Sequence, residues 1–190
     1  MQLNAEHTVI APCVSVLNLV MSGMDDLLPY MPEVESVTHQ SVETRDNGDV
    51  HIVSDWQGSS STTPKLLRPF VSKEALAWVD DAVWRPSTHH VNWTIKSKMS
   101  KYYSCNGRNS FGPHPDDPQG KTLMKIEGDL LVRPENLPLV PNVLGRKMAP
   151  KIERFIIKLI LQNFEAMSKA LQRYFDDVKR NESPNPNSGI

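Results

Sequence analysis

Apolar and polar residues alternate along much of the middle of the chain, which is typical of strands with one buried and one solvated face. The clearest case is the stretch 121–133. One of its faces carries Thr122, Met124, Ile126, Gly128, Leu130 and Val132, and the other carries Lys125, Glu127, Asp129 and Arg133. The segment from Val91 to Ile95 repeats the pattern. The chain therefore predicts a sheet with one apolar face.

Further strands are predicted before this one, with short connections between them. They cover residues 3–10, 34–44, 50–56, 74–84, 90–99 and 102–111. Asn47-Gly48 can supply the positive φ angles that a tight hairpin needs, and the Pro/Gly/Asp-rich segment 112–120 reads as a turn. Because sequential strands with short connections pair as neighbours, we expect an antiparallel meander.

Helical spacing occurs in two places. Two short helices, Cys13–Met21 and Met24–Leu28, follow the first strand, and Pro29 ends the second. Near the C-terminus, apolar residues recur every three or four positions at Ile152, Phe155, Ile156, Leu159, Ile160, Phe164, Met167, Leu171 and Phe175. Pro150 marks either the start of this long helix or a kink after a turn through Leu144–Met148. With no second apolar helix nearby, it must pack on the sheet.

Length and composition fit one globular domain. The chain has 190 residues, 39% of them apolar and 23% charged, so we expect a single domain over 1–180 and a disordered polar tail over 181–190. A net charge of −1 gives no field that would attract nucleic acid. Two cysteines, no leader-like start and no long apolar run predict a cytoplasmic protein.

The order of these elements resembles a known family. A strand, two short helices, six or so antiparallel strands and a long C-terminal helix are the order of the α+β helix-grip fold, in which a curved antiparallel sheet of about six to seven strands surrounds that helix. The chain is similar to the superfamily of START lipid-transfer domains, polyketide cyclases and pollen-allergen-like proteins. The similarity covers residues 3–178. Less specific features that also fit the family are Trp56 at the end of an early strand, Gly107 and the strand 122–132. It implies a cavity for lipids, sterols or polyketides but carries over no catalytic residue.

A curved sheet and one helix cannot close-pack everywhere, and such gaps become apolar pockets with a few polar groups. We predict that the pocket is lined by Trp56, Trp78, Trp84, Trp93, Met124, Ile126, Ile156, Ile160 and Met167. Ser54, Tyr103 and Asn106 are candidates for orienting a ligand through polar contacts. An error of one residue in strand register would invert any of these assignments.

Other motifs do not indicate a catalytic or metal site. His114-Pro115-Asp116-Asp117 is similar to the zinc motif of sugar N-deacetylases. That motif follows a buried strand of an α/β domain and needs a distant third ligand, whereas here the string lies in a proline-rich turn of a chain without βαβ alternation. Adjacent strand residues point to opposite faces, so neither His89-His90 nor Asp80-Asp81 can act as a pair. The histidines at 51, 89, 90 and 114 fall in turns or on outer faces. No metal or cofactor is predicted.

Three functions remain open. The first is a binding or carrier protein for an apolar or amphipathic small molecule; the second is a cyclase-type enzyme using the same cavity; the third is an interaction module with an apolar groove. A non-catalytic binding role is the primary prediction. A His or carboxylate pair inside the cavity would favour the enzyme. The loop Lys65–Phe70, with Leu66, Leu67 and Phe70, is a candidate for a lid or transient membrane contact. The sequence leaves the oligomeric state open.

Overall fold

A computed structural model describes residues 1–59, 76–96, 103–133 and 142–182. Predicted features in the remaining ranges lie outside the described residues. These features include the loop Lys65–Phe70, the start of the strand predicted over 74–84, and positions 183–190 of the tail.

The described residues form one seven-stranded antiparallel sheet in the order β1-β7-β6-β5-β4-β3-β2. The strands are β1 (Gln2–Val9), β2 (Val34–Thr44), β3 (Val50–Gly58), β4 (Ala77–Arg85), β5 (His90–Lys96), β6 (Tyr103–His114) and β7 (Asp117–Val132). Strands β2 to β7 form the predicted meander, and β1 closes it by pairing with β7. This confirms the helix-grip fold class.

Three α-helices accompany the sheet in the described ranges: α1 (Cys13–Ser22), α2 (Met24–Leu27) and α3 (Asn142–Glu182). A 3-10 turn at Leu28–Tyr30 leads from α2 into β2. Helix α3 packs mainly on β1 and β7, while α1 packs on β6 and β7. No helix among these residues has the length and apolar character needed to span a bilayer.

Fully buried residues lie where α1 and α3 meet β1 and β7. Val9, Leu130 and Leu171 are fully buried there. Thr122 is also fully buried, and its hydroxyl donates a hydrogen bond of 2.7 Å to the carbonyl of Ala11. The predicted buried face of the last strand is confirmed at Thr122, Met124, Ile126 and Leu130.

Two turn predictions need correction. The segment 112–120 is mostly strand, because β6 continues to His114 and β7 begins at Asp117. At this end of the sheet, the pairing of β1 with β7 stops at Val9, and the pairing of β5 with β6 stops at His90. The β6–β7 hairpin therefore extends beyond its neighbours as a two-stranded ribbon. Such a ribbon tolerates prolines at positions that need no ladder donor. In the β2–β3 turn, only Gly48 has positive φ, at 82°.

Helix α3 is longer than predicted at both ends. It runs for 41 residues through Pro150, which lies inside the helix and neither begins it nor separates it from a preceding turn. Proline cannot donate the backbone hydrogen bond that an interior residue normally makes. At the other end, the helix continues to Glu182, so the first two residues of the predicted tail are helical.

Candidate ligand-binding cavity

A cavity of about 380 Å³ lies between the inner face of the sheet and the helices. Helix α3 makes its main sheet contacts with β1 and β7, and inward residues of β2 to β7 line the cavity. Val20 and Met24 close one side from α1 and α2, and Ile160, Phe164 and Met167 close another from α3. His39 on β2 and Asn163 on α3 are exposed and border the cavity, which indicates that it opens between these elements.

Most of the predicted pocket residues lie around this space. Strand alternation brings their side chains to one face of the sheet, and α3 adds two from the opposite side. The predicted residues that line the cavity are Ser54, Trp56, Trp78, Trp84, Trp93, Met124, Ile126, Ile160 and Met167. Their role in binding a ligand remains a prediction.

Three predicted residues are not among the described residues that line the cavity. Asn106 is exposed and was assigned to the wrong face. Its neighbour Cys105 is buried and lines the cavity. Tyr103 lies in β6 and Ile156 in α3, but their side chains fall outside the described part of the structure.

Asp80 places a carboxyl group inside the cavity. It lies in the same inward row of β4 as Trp78, Ala82 and Trp84. Desolvation by burial, reinforced by the charge of Asp81, raises the pKa of Asp80 to about 7 from 3.8. The side chain keeps some accessible surface because it faces the cavity and not packed atoms. A carboxyl with this pKa can gain or lose a proton near neutral pH.

Two further polar side chains lie level with Asp80 on the neighbouring strands β3 and β2. Ser54 on β3 is paired with Asp80 on one side and His39 on the other. The Nδ1 atom of His39 lies 2.8 Å from the Ser54 hydroxyl, within hydrogen-bond distance. The order His39, Ser54, Asp80 places the serine between the other two. It is not the arrangement of a nucleophilic triad, in which histidine lies between the serine and the carboxylate.

Two buried polar atoms on the cavity wall have no protein partner among the described residues. They are Oε1 of Glu33, just before β2, and Nε1 of Trp56 on β3. The Trp56 ring stacks on that of Trp78, with centroids 5.7 Å apart and planes 16° apart. Buried polar atoms normally have a hydrogen-bond partner. An acceptor facing Trp56 and a donor facing Glu33 would satisfy both.

A pair of glycines shapes the wall around Trp93. Gly107 on β6 lies between Trp93 on β5 and Gly128 on β7. A Cβ atom at Gly107 would approach Cζ2 of Trp93 to 2.5 Å. The indole therefore lies against the bare backbone, and its Nε1 donates a hydrogen bond of 2.9 Å to Oδ1 of Asn109. This contact fixes the ring on the cavity wall.

Asp81, next in sequence to Asp80, points to the outer face, as the alternation predicts. Lys96 and His51 both contact its carboxylate, with His51 Nε2 at 2.8 Å. The hydrogen bond from Lys96, followed by that from His51, lowers the pKa of Asp81. Asp80 and Asp81 therefore cannot act together on one ligand.

The remaining motifs have local partners. His114 Nδ1 accepts a hydrogen bond from the backbone N–H of Asp116, and Asp117 Oδ1 accepts one from Gly120. His89 approaches Cys13, whereas His90 contacts Thr88 and Arg85. Within the described ranges, no group of three or more His, Cys, Asp or Glu side chains is placed to hold a metal ion.

Sequence reasoning missed Asp80, His39, Glu33 and Asn109 as cavity residues. A signal existed for Asp80, because residues two apart on a strand share a face. Trp78 and Trp84 were assigned to the cavity, and that assignment also places Asp80 there. No such signal existed for His39, because β2 is irregular between Val34 and Ser36 and again between His39 and Ser41.

No protein-family model matches the chain, and no curated protein matches its sequence. Solved structures do match its fold. An aromatase/cyclase from a Streptomyces species has a TM-score of 0.63 at 13% identity, covering 100% of this chain and 99% of that one. A Thermus thermophilus protein has a TM-score of 0.61 at 17% identity, covering 96% and 100%.

Norcoclaurine synthase from Thalictrum flavum matches with a TM-score of 0.55 at 12% identity, over 91% of each chain. At these identities, the likeness is one of fold. The sheet order, the short helices after β1 and the long C-terminal helix agree with it. The chain has the helix-grip fold of these solved structures.

Proposed function

We propose that this protein binds an amphipathic small molecule, with an apolar body and few polar groups, in the cavity between the sheet and α3. The observation that carries this proposal is the cavity of about 380 Å³, lined mostly by aromatic and aliphatic side chains. Its volume falls within the range of small-molecule sites. A cavity inside the fold also favours a small guest over the alternative of a solid interior with an external groove for a protein partner.

Burial of apolar surface would supply most of the affinity. Each Å² of apolar ligand surface removed from water contributes about 25 cal/mol before the entropy cost of binding. Polar side chains among the lining residues, such as Asp80, Ser54 and Asn109, would orient the ligand. Cytoplasmic location and membrane contact through residues 65–70 stay predictions.

A fluorescent sterol probe, which carries no charge, tests the proposal. We expect the wild-type protein to bind the probe and Ile160→Glu to lose at least about tenfold in affinity, because it places a charge on the cavity wall. Gln162→Glu adds the same side chain at an exposed position of α3 and should bind normally. Circular dichroism would confirm that both variants fold. Absence of binding by the wild type, or equal binding by a folded Ile160→Glu variant, would contradict the proposal.

One observation favours a second candidate, a cyclase-type enzyme. The carboxyl of Asp80 faces the cavity with a pKa near 7, which suits a general acid or base. The similar Streptomyces protein is named as an aromatase/cyclase. Conversion of a polyketide-like thioester by the wild type, abolished in Asp80→Asn, would support catalysis. Binding without conversion would leave the carrier as the function.

A further inference from the structure

The charges around the cavity are negative. Among the described residues that line it, Asp80 and Glu33 are acidic and none is lysine or arginine. Asp80 has no hydrogen-bond or ion-pair partner in the described part of the chain, whereas Asp81 next to it has two. A buried carboxylate without a partner is costly, and a cation that pairs with it offsets part of that cost.

Tryptophans occupy inward positions near Asp80 on β3, β4 and β5. Trp78 precedes Asp80 by two residues on the same face, which places them about 7 Å apart along the strand. Trp56 is paired with Trp78, and Trp93 is paired with Ala82, so both lie diagonally across from Asp80 on neighbouring strands. The faces of tryptophan rings attract cations more strongly than those of other aromatic side chains.

We propose that the preferred ligand is an amphipathic organic cation, an amine or quaternary ammonium group on an apolar body, with the charged group held by Asp80 among Trp56, Trp78 and Trp93. This inference rests on the proposed binding function and specifies its ligand class. Glu33 lies on the same wall and adds a second negative charge or an acceptor for an N–H group.

Physical reasons favour a cation over an anion or a neutral polar group. An anionic ligand would enter beside two carboxyl groups with no lysine or arginine among the described lining residues, and like charges in a low-dielectric site repel strongly. A neutral hydroxyl could pair with Asp80 but would gain nothing from the ring faces. An ammonium group gains both the ion pair and the cation–π contact.

Proton binding to Asp80 should compete with the ligand. The other titratable groups on the cavity wall are Glu33 before β2, His39 on β2 and Cys105 on β6. Burial, with a smaller contribution from Asp129, raises the pKa of Cys105 to about 11, so its thiol stays neutral. Helices α1, α2 and α3 contribute only uncharged residues among those described. Affinity for a permanent cation should fall by up to about tenfold per pH unit below 7.

Two probes of equal chain length test the inference. Decyltrimethylammonium keeps its charge at every pH, and 1-decanol is its neutral counterpart. Both are titrated below micellar concentration, with tryptophan fluorescence or calorimetry as the readout. We expect the cation to bind at least about tenfold more tightly than decanol at pH 8. Its affinity should decrease from pH 8 to pH 6, while that of decanol stays constant.

Asp80→Asn should remove the preference for the cation over decanol. Asp81→Asn, the same change on the outer face, should keep the preference at pH 8. If decanol binds as tightly as the cation, or if the preference survives in Asp80→Asn, the inference is wrong while the binding function stands. If neither probe nor the fluorescent sterol binds, the binding function fails as well. The pH titration of the wild type decides the question even if Asp80→Asn does not fold.

Discussion

Two neighbouring carboxyl groups show how strongly the side of the sheet determines chemistry. Asp80 and Asp81 share a strand and differ by one position, yet burial raises the pKa of the first and contacts from Lys96 and His51 lower the pKa of the second. The alternation of the strand produces the difference. At the residue scale, the two should therefore affect stability in opposite directions.

We expect Asp80→Asn to stabilise the protein at pH 8. The folded-state pKa of Asp80, about 7, lies above its ordinary 3.8. Folding therefore takes up a proton between these values, and the stability of the wild type falls as pH rises from about 4 to 7. The full shift corresponds to about 4 kcal/mol; water in the open cavity reduces this, and we expect about 2 kcal/mol. Urea denaturation at pH 4 and 8 measures the difference, which should vanish at pH 4.

Asp81→Asn provides the opposite case. Its pKa is lowered, so its ion pairs stabilise the protein above about pH 4 and are lost as pH falls. The partly exposed site limits this contribution to about 1 kcal/mol. If both substitutions destabilise the protein at pH 8, the buried charge of Asp80 must already be stabilised by other groups in the wild type, and the prediction for Asp80 is wrong.

At the scale of elements, the fit between β5, β6 and β7 depends on the absence of side chains. Gly107 and Gly128 are directly paired, and a Cβ on either would meet backbone atoms of the other strand. On β6, Gly107 also makes room for the Trp93 ring. A Cβ atom added to Gly112, on the same strand, would have no other atom within 4 Å. Gly107 and Gly112 therefore lie on the same strand, but only Gly107 is crowded by neighbouring atoms.

Gly107→Ala should destabilise the protein by about 1–3 kcal/mol and shift Trp93, because the new methyl group meets both backbone and indole atoms. Gly112→Ala should change stability by less than about 0.5 kcal/mol. Denaturation by urea gives the free energies, and tryptophan fluorescence reports the displacement. Equal effects of the two substitutions would contradict this account of the glycine pair.

Periodicity determines which elements form and often which face is buried, and this was enough for β7. In other strands, local irregularities limit how well periodicity predicts the buried face. The irregular ladder of β2 changes which residues face inward, so His39 was missed. Tyr103 and Asn106 were predicted to share the cavity although an odd separation places them on opposite faces. The ribbon at 112–120 was read as a turn because Pro and Gly favour turns, and tertiary pairing overrode that preference.

On the scale of the whole molecule, helix and cavity divide the sheet into two halves. Strands β1 and β7 make the main sheet contacts with α3, whereas the cavity lies mostly over β2 to β6 and reaches β7 only at Met124 and Ile126. Packed segments open less often than segments with few buried contacts. The half that holds the candidate ligand should therefore be the less stable one.

Hydrogen exchange should reveal this division. We expect amides of β1 and β7 to exchange at least about tenfold more slowly than those of β2 and β3, because opening them breaks the contacts with α3. A saturating apolar probe should slow exchange in β2 to β4, since a ligand that binds only the native state raises its stability. Mass spectrometry of peptic peptides measures both effects. Uniform exchange across the sheet would contradict the division.

The interrupted ladder of β2 also affects how copies of the protein meet. In the described residues, β2 pairs only with β3, which leaves its other edge as a row of backbone donors and acceptors. A regular edge of this kind can template the addition of a strand from another molecule. Two irregularities within 11 residues break the spacing that such an addition requires. The cavity can therefore open beside a sheet edge without that edge favouring aggregation.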